Sequence, residues 1–123
     1  MQNYTKTELG KLEQIINQEN GKAFLKNALQ LTGCEISVNT MPAGTKLPFN
    51  HKHKQNEEVY IFLKGTGTMT LDTNTLDVQE GTCIKVLPDT SRTMEAKTEL
   101  QYICIQAKMH SLAQWGLQDA ELC

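Results

Sequence analysis

The chain has no surplus of basic charge. Its 123 residues carry twelve Lys and Arg against fourteen Asp and Glu, a formal net charge of −2. Binding to a phosphate backbone runs on cation excess and counterion release, so nucleic acid is not an expected partner. Long apolar runs are missing too. Val59 to Leu63 is among the longest, far short of the roughly 20 residues a membrane-spanning helix needs. The amino-terminal stretch MQNYTKTELGK lacks the apolar core of a secretory signal. The expected location is therefore the cytoplasm, with no membrane partner. No CxxC pair occurs among Cys34, Cys83, Cys104 and Cys123, which reads as free thiols and not as a disulfide framework. Three of the four sit in apolar stretches, where a cysteine acts as a small buried hydrophobe. There is no internal repeat, no phosphate-cradling glycine loop between a strand and a helix, and no serine nucleophile elbow.

What remains is an ordinary globular composition, 39% hydrophobic and 21% charged. That balance argues against disorder and, at this length, for one domain. From residue 29 onward, short alternating segments are punctuated by turn residues. Ala28 to Leu31 and Cys34 to Met41 alternate, with Ile36 and Val38 as the apolar positions, before the turn at Pro42-Ala43-Gly44. Glu58 to Lys64, Thr68 to Asp72, Leu76 to Val78, Cys83 to Leu87, Thr93 to Ala96 and Leu100 to Ala107 follow, separated by Gly65, Gly67, Thr73-Asn74, Glu80-Gly81 and Pro88-Asp89. Many short strands at this spacing predict an all-β sandwich or barrel. The division is an N-terminal segment over 1–28, a barrel over 29–107 and a tail over 108–123. In the first segment Leu9, Leu12, Ile15 and Ile16 have helical spacing, and Asn20-Gly21 is a hairpin-type turn before Ala23 to Leu25. A short helix or turn followed by an early strand is expected there. The tail holds the lone tryptophan, Trp115, which should pack across the barrel exterior or against a second subunit.

Two of the three histidines form His51-Lys52-His53. On a strand, residues two apart share a face, so both imidazoles can reach one ion, with Glu57 or Glu58 adding a carboxylate. By itself the pair reads equally as two surface histidines in a charged loop beside Lys52 and Lys54.

The run GTKLPFNHKHKQNEEVYIFLKG, from Gly44 to Gly65, resembles the first conserved motif of the cupin superfamily: a glycine, a spacer, HxH, three or four residues, a glutamate, six residues and a glycine. The spacer before the histidines is one residue longer than usual. The resemblance implies a single-domain jelly-roll barrel (a double-stranded β-helix), and it selects His51, His53 and Glu58 as metal ligands. Gly81 to Pro88 and the turn DTSR match the strand and proline turn of the second motif, but its histidine is missing, and Arg92 and Thr93 stand in that neighbourhood. Two histidines and a carboxylate suit iron(II), zinc, manganese or nickel. His110 lies beyond the last strand and is not expected to ligate; Cys104 or water would complete the shell.

Arg92 is the only arginine among the twelve basic residues. Pointing inward, its guanidinium would hold an anionic substrate beside the metal; pointing outward, it would pair with Glu95 or Asp89. Tyr60, Tyr102, Gln106 and Cys104 are further candidates for the substrate pocket, with Gln55 and Met69 near its mouth. The resemblance implies a metal-dependent protein acting on or binding a small anionic or sugar-like molecule, since small cupins are similar to dioxygenases, isomerases and epimerases. A binding module that needs no metal is the alternative. The resemblance also implies a homodimer built on edge or exchanged strands.

Overall fold

Period-two alternation dominates the protein, seen in a computed structural model that describes residues 3–17, 21–48 and 50–123. Among these the strands are β1 (Lys22–Phe24), β2 (Glu35–Met41), β3 (Asn56–Lys64), β4 (Thr66–Leu71), β5 (Asn74–Gln79), β6 (Cys83–Val86), β7 (Arg92–Ala96) and β8 (Leu100–Lys108). They pair antiparallel into a five-stranded sheet of order β1-β2-β8-β3-β6 and a three-stranded sheet of order β5-β4-β7. This is the all-β architecture expected of a jelly-roll barrel. The short N-terminal helix is a 3-10 helix over Leu12–Asn17, and β1 follows it. The expected Asn20-Gly21 turn cannot be traced, because Asn20 lies outside the described residues.

Ala28 to Leu31 does not form a strand. Its first two residues end one helical turn, α1 (Lys26–Leu29), stopped by Gln30 in the left-handed region at φ 58°. Four residues show too little of either period to separate 2 from 3.6.

The main core fills the space between the sheets. Tyr60 and Phe62 of β3, Met69 of β4, Val78 of β5, Val86 of β6, Met94 and Ala96 of β7, and Leu100 and Tyr102 of β8 are all buried there. A second cluster, Ile15, Ala23 and Val38 with Leu9 and Ile103, lies where the N-terminal segment covers the outside of the larger sheet. This changes the meaning of β2. Its apolar Val38 serves the outer cluster, while Ser37 and Asn39, equally buried by strand alternation, line the interior.

Gly44, Thr45, Leu47 and His51 hydrogen-bond along β7 like an irregular edge strand. Leu47 N–H donates to Met94 O (3.0 Å) and Ala96 N–H to Thr45 O (2.8 Å). His51 and Arg92 then exchange backbone hydrogen bonds of 3.3 and 3.0 Å.

Two outcomes differ from the residue pattern. Only Cys104 is buried; Cys34 is half-buried, and Cys83 and Cys123 are exposed, although all four are free thiols. A strand at a sheet face leaves every second residue outward, so apolar flanks do not fix a cysteine's own side. Trp115 is 62% exposed and Leu117 88%, so the tail does not pack across the barrel of its own chain.

Gly65 sits at φ +91°, and a Cβ there would collide with the carbonyl oxygen of Glu99, in the connection between β7 and β8. At Gly44, also at positive φ, a Cβ would meet open space. Gly65→Ala should therefore lower unfolding free energy by about 3 kcal/mol and Gly44→Ala by only about 1 kcal/mol. Chemical denaturation of the two variants checks this; equal losses would mean that backbone conformation alone, without the collision, sets the cost.

Candidate metal centre

Strand register arranges the interior face of the larger sheet in rows. Glu35, Gln106, Glu58 and Val86 are aligned across β2, β8, β3 and β6. The next row holds Phe24, Ser37, Cys104, Tyr60 and Ile84, and the third holds Lys22, Asn39, Tyr102 and Phe62. Most of these residues, with Leu47, His51 and His53 from the preceding loop, line a cavity of about 230 Å³.

Glu58 is the centre of this site and is only 3% exposed. Oε1 accepts hydrogen bonds from Arg92 Nη1 (2.5 Å) and the Tyr60 hydroxyl (2.7 Å). Oε2 lies 3.2 Å from His53 Nε2 and accepts from the Cys104 thiol (3.3 Å). Burial pushes the carboxyl pKa upward, but the bonds from Tyr60 and Cys104 and the charges of His53 and Arg92 outweigh it, leaving Glu58 below its usual value. The carboxylate is thus held ionised in a dry setting. Its partners shift the opposite way: burial, reinforced by Glu58, raises the Cys104 thiol to about 12 and raises Tyr60 as well. Both remain protonated donors.

The histidines do not sit on a regular strand. His51 is tied to Arg92 by an isolated antiparallel bridge, and His53 is anchored where its carbonyl accepts from Asp89 N–H (2.7 Å). The loop still brings the rings together edge-to-face, with centroids 5.3 Å apart. One ligand atom from each of His51, His53 and Glu58 falls within 4.8 Å of the other two. Two donors on one ion at bond lengths of about 2.1 Å are separated by roughly 3 to 3.4 Å at cis or tetrahedral angles, and His53 Nε2 to Glu58 Oε2 spans 3.2 Å. Burial lowers the pKa of His51, with Arg92 and His53 adding to the effect against Glu58, so the neutral, lone-pair-bearing imidazole is favoured. The donor types, the His53–Glu58 spacing and the neutral form favoured at His51 fit a divalent ion. Glu57, half-buried on the other face of β3, is not part of the group.

Arg92 is 1% exposed and opens β7 on the inward side with Met94 and Ala96. Neither sequence-based reading described it. Besides Glu58, it donates from Nη2 and Nε to Thr90 O (2.9 and 3.2 Å) and from Nη2 to Leu87 O (3.4 Å). The guanidinium is engaged within the protein, pairs with neither Glu95 nor Asp89, and does not line the cavity. Tyr60, Tyr102, Gln106 and Cys104 do line it. Met69 is in the main core, and Gln55 is exposed.

Lys22, Phe24, Glu35, Ser37 and Leu47 also line the cavity and were not singled out from the sequence. The polar members of β2 carried a usable signal, since Glu35, Ser37 and Asn39 alternate with Ile36 and Val38. An interior polar face inverts the usual rule, and only the outer apolar cluster reveals it.

A family model described as a cupin domain matches residues 37–106. An uncharacterized protein of Methanocaldococcus jannaschii is 29% identical over 104 residues, which are 80% of this chain and 82% of that protein. The crystal structure of a cupin protein from Bacteroides fragilis superposes with a TM-score of 0.88 at 34% identity, covering 100% of this chain and 99% of that one. A Thermotoga maritima structure described as a predicted oxalate decarboxylase gives a TM-score of 0.63 at 21% identity, over 72% of this chain and 79% of that one. This last likeness shows the shared fold alone.

Removing one partner of a buried ion pair strands the other charge, at a cost of about 3 to 5 kcal/mol. Arg92→Met should destabilise the protein by about that amount, while Arg92→Met combined with Glu58→Gln should recover part of the loss. Urea titrations of both variants provide the measurement, and an Arg92→Met protein as stable as wild type would contradict the pairing.

Proposed function

The chain belongs to the cupin family, and from that premise we propose that its barrel binds one divalent metal ion through His51, His53 and Glu58. The observation that carries this reading is the convergence of those three donors at one cavity, with Glu58 buried and both histidines half-buried. The cavity, at about 230 Å³, suits a small molecule beside the ion. When bound, the metal supplies Lewis acidity or oxygen activation, and zinc, iron(II), manganese or nickel are all compatible with the ligand set. The chain's own groups do the rest. Arg92 and Tyr60 fix Glu58 Oε1, which leaves Oε2 turned toward His53. Cys104, on the Oε2 side, is the chain's available fourth donor, although its raised pKa means that a metal would first have to displace the thiol proton.

A binding module without an essential metal is the second reading. It is favoured by the Arg92–Glu58 pair, which already gives the carboxylate a counter-charge and lets the cavity keep its shape without an ion. A homodimer is part of the proposal, with exposed Leu112, Trp115, Leu117 and Leu122 offering apolar area to a second copy. Small-angle scattering at several concentrations measures that assembly directly.

His51→Ala and His53→Ala should each reduce bound metal at least about tenfold while leaving the fold intact. Elemental analysis after purification without an affinity tag, with circular dichroism as the folding control, reads out both effects. Normal metal content in either variant removes that histidine from the site. Histidine variants are cleaner here than Glu58→Ala, which would also leave Arg92 buried without its partner.

A further inference from the structure

The cavity has a cation that the metal-binding reading does not use. Lys22, on β1, projects from the third interior row, and its Nζ donates to Asn39 Oδ1 at 2.8 Å. Asn39 is 1% exposed, and its orientation is fixed from the other end. Its Nδ2 donates to Ser37 O (3.2 Å), Ser37 Oγ (3.0 Å) and Tyr102 O (3.3 Å), which leaves Oδ1 facing the ammonium. The nitrogen also stands 6.0 Å from the centroid of the Tyr102 ring. The ammonium is thus held against the cavity wall by a buried amide whose orientation its other hydrogen bonds fix.

What it lacks is a negative partner. The ion pairs of the described residues join Lys6 to Glu8, Lys64 to Glu99, and His53 and Arg92 to Glu58; none includes Lys22. An ammonium has three N–H donors, and one of them is used, on Asn39. Beside it, the Ser37 oxygen accepts from Asn39, so the hydroxyl hydrogen remains available for donation. Arg92, the other interior cation, is matched by Glu58 and lies outside the cavity wall. A divalent ion at the histidines would add two further positive charges to a cavity whose only acidic lining groups are Glu58 and Glu35.

Resting on the reading of this cavity as a ligand site, we propose that Lys22, assisted by the Ser37 hydroxyl, is the anion anchor of the protein and that its ligand is a small carboxylate. Volume limits the size: about 230 Å³ equals roughly eight waters at about 30 Å³ each, room for a short mono- or dicarboxylate. One carboxylate would meet the ammonium and Ser37, and the remainder would extend past Tyr60 and Cys104 toward the histidines. The energetics agree with this assignment. Burial is the largest influence on Lys22 and lowers its pKa, with the Glu58 carboxylate pulling the other way. A bound carboxylate supplies counter-charge and forms charge-assisted hydrogen bonds away from bulk water.

The test is calorimetric titration of acetate, malonate and succinate into wild type, Lys22→Met, Lys22→Arg and Ser37→Ala, each in metal-stripped and metal-loaded form, with metal content measured separately. At least one of the acids should bind wild type. Lys22→Met should weaken it about tenfold or more, Lys22→Arg should restore most of the affinity, and Ser37→Ala should weaken it about threefold. Metal content should be the same in all four proteins. If wild type retains no metal but still binds the acid through Lys22, the anchor stands and the metal reading falls. If metal binds normally while Lys22→Met keeps full affinity, or no acid binds wild type in either form, the anchor is overturned. Should Lys22→Met fail to fold, Lys22→Arg and Ser37→Ala decide: loss of affinity in Ser37→Ala with retention in Lys22→Arg supports the anchor, and unchanged affinity in Ser37→Ala overturns it.

Discussion

A guanidinium and a carboxylate, both almost completely removed from water, meet between the two sheets of this barrel. Arg92 comes from the first residue of β7 in the smaller sheet, and Glu58 comes from β3 in the larger one. Neither charge would be tolerated there alone, because desolvating an unpaired ion costs several kcal/mol. Together they satisfy one another, with the Thr90 and Leu87 carbonyls accepting further bonds from the guanidinium and Tyr60, His53 and Cys104 surrounding the carboxylate. The same residue also holds His51, through a pair of backbone hydrogen bonds. Arg92 therefore positions a carboxylate with its side chain and an imidazole with its main chain, two of the three donors of the cluster, while Asp89 anchors the third, His53.

The identity of that residue alters the electrostatics of the site. A histidine in the corresponding motif position would be a neutral donor with a lone pair to give. Arginine stays charged and offers no lone pair. Glu58 consequently divides its two oxygens, one for Arg92 and Tyr60, the other toward His53 and Cys104. Beyond that matched pair the cavity lining sets one cation, Lys22, against one carboxylate, Glu35, so a divalent ion would leave positive charge that the proposed anionic ligand would offset.

The interior is also polar on one wall for a reason outside it. The N-terminal segment lays Ile15 against Ala23 and Val38 on the outer side of the larger sheet. That outer burial gives β2 the apolar support its outward positions need, so its inward positions are released from core duty. Ser37 and Asn39 can then be buried as hydrogen-bonded polar groups, fully satisfied in the case of Asn39. The N-terminal segment thus supplies both the cover for the wall and, in β1, the lysine that lines the cavity.

The one-dimensional pattern was enough to determine the strand class of the chain, because alternation and turn residues are local properties. The residues alone left the histidine pair open to a surface reading and Glu57 open beside Glu58; it was the resemblance to the cupin motif that selected His51, His53 and Glu58. The inward phase of Arg92 was latent in its alternation with Met94 and Ala96, but its partner is 34 residues away, and no local pattern carries that pairing. Lys22 is separated from Asn39 by 17 residues and Asn39 from Tyr102 by 63. Which charges neutralise one another, and which buried polar groups meet, depends on distances between strands remote in the chain. Only the closing of the two sheets decided that.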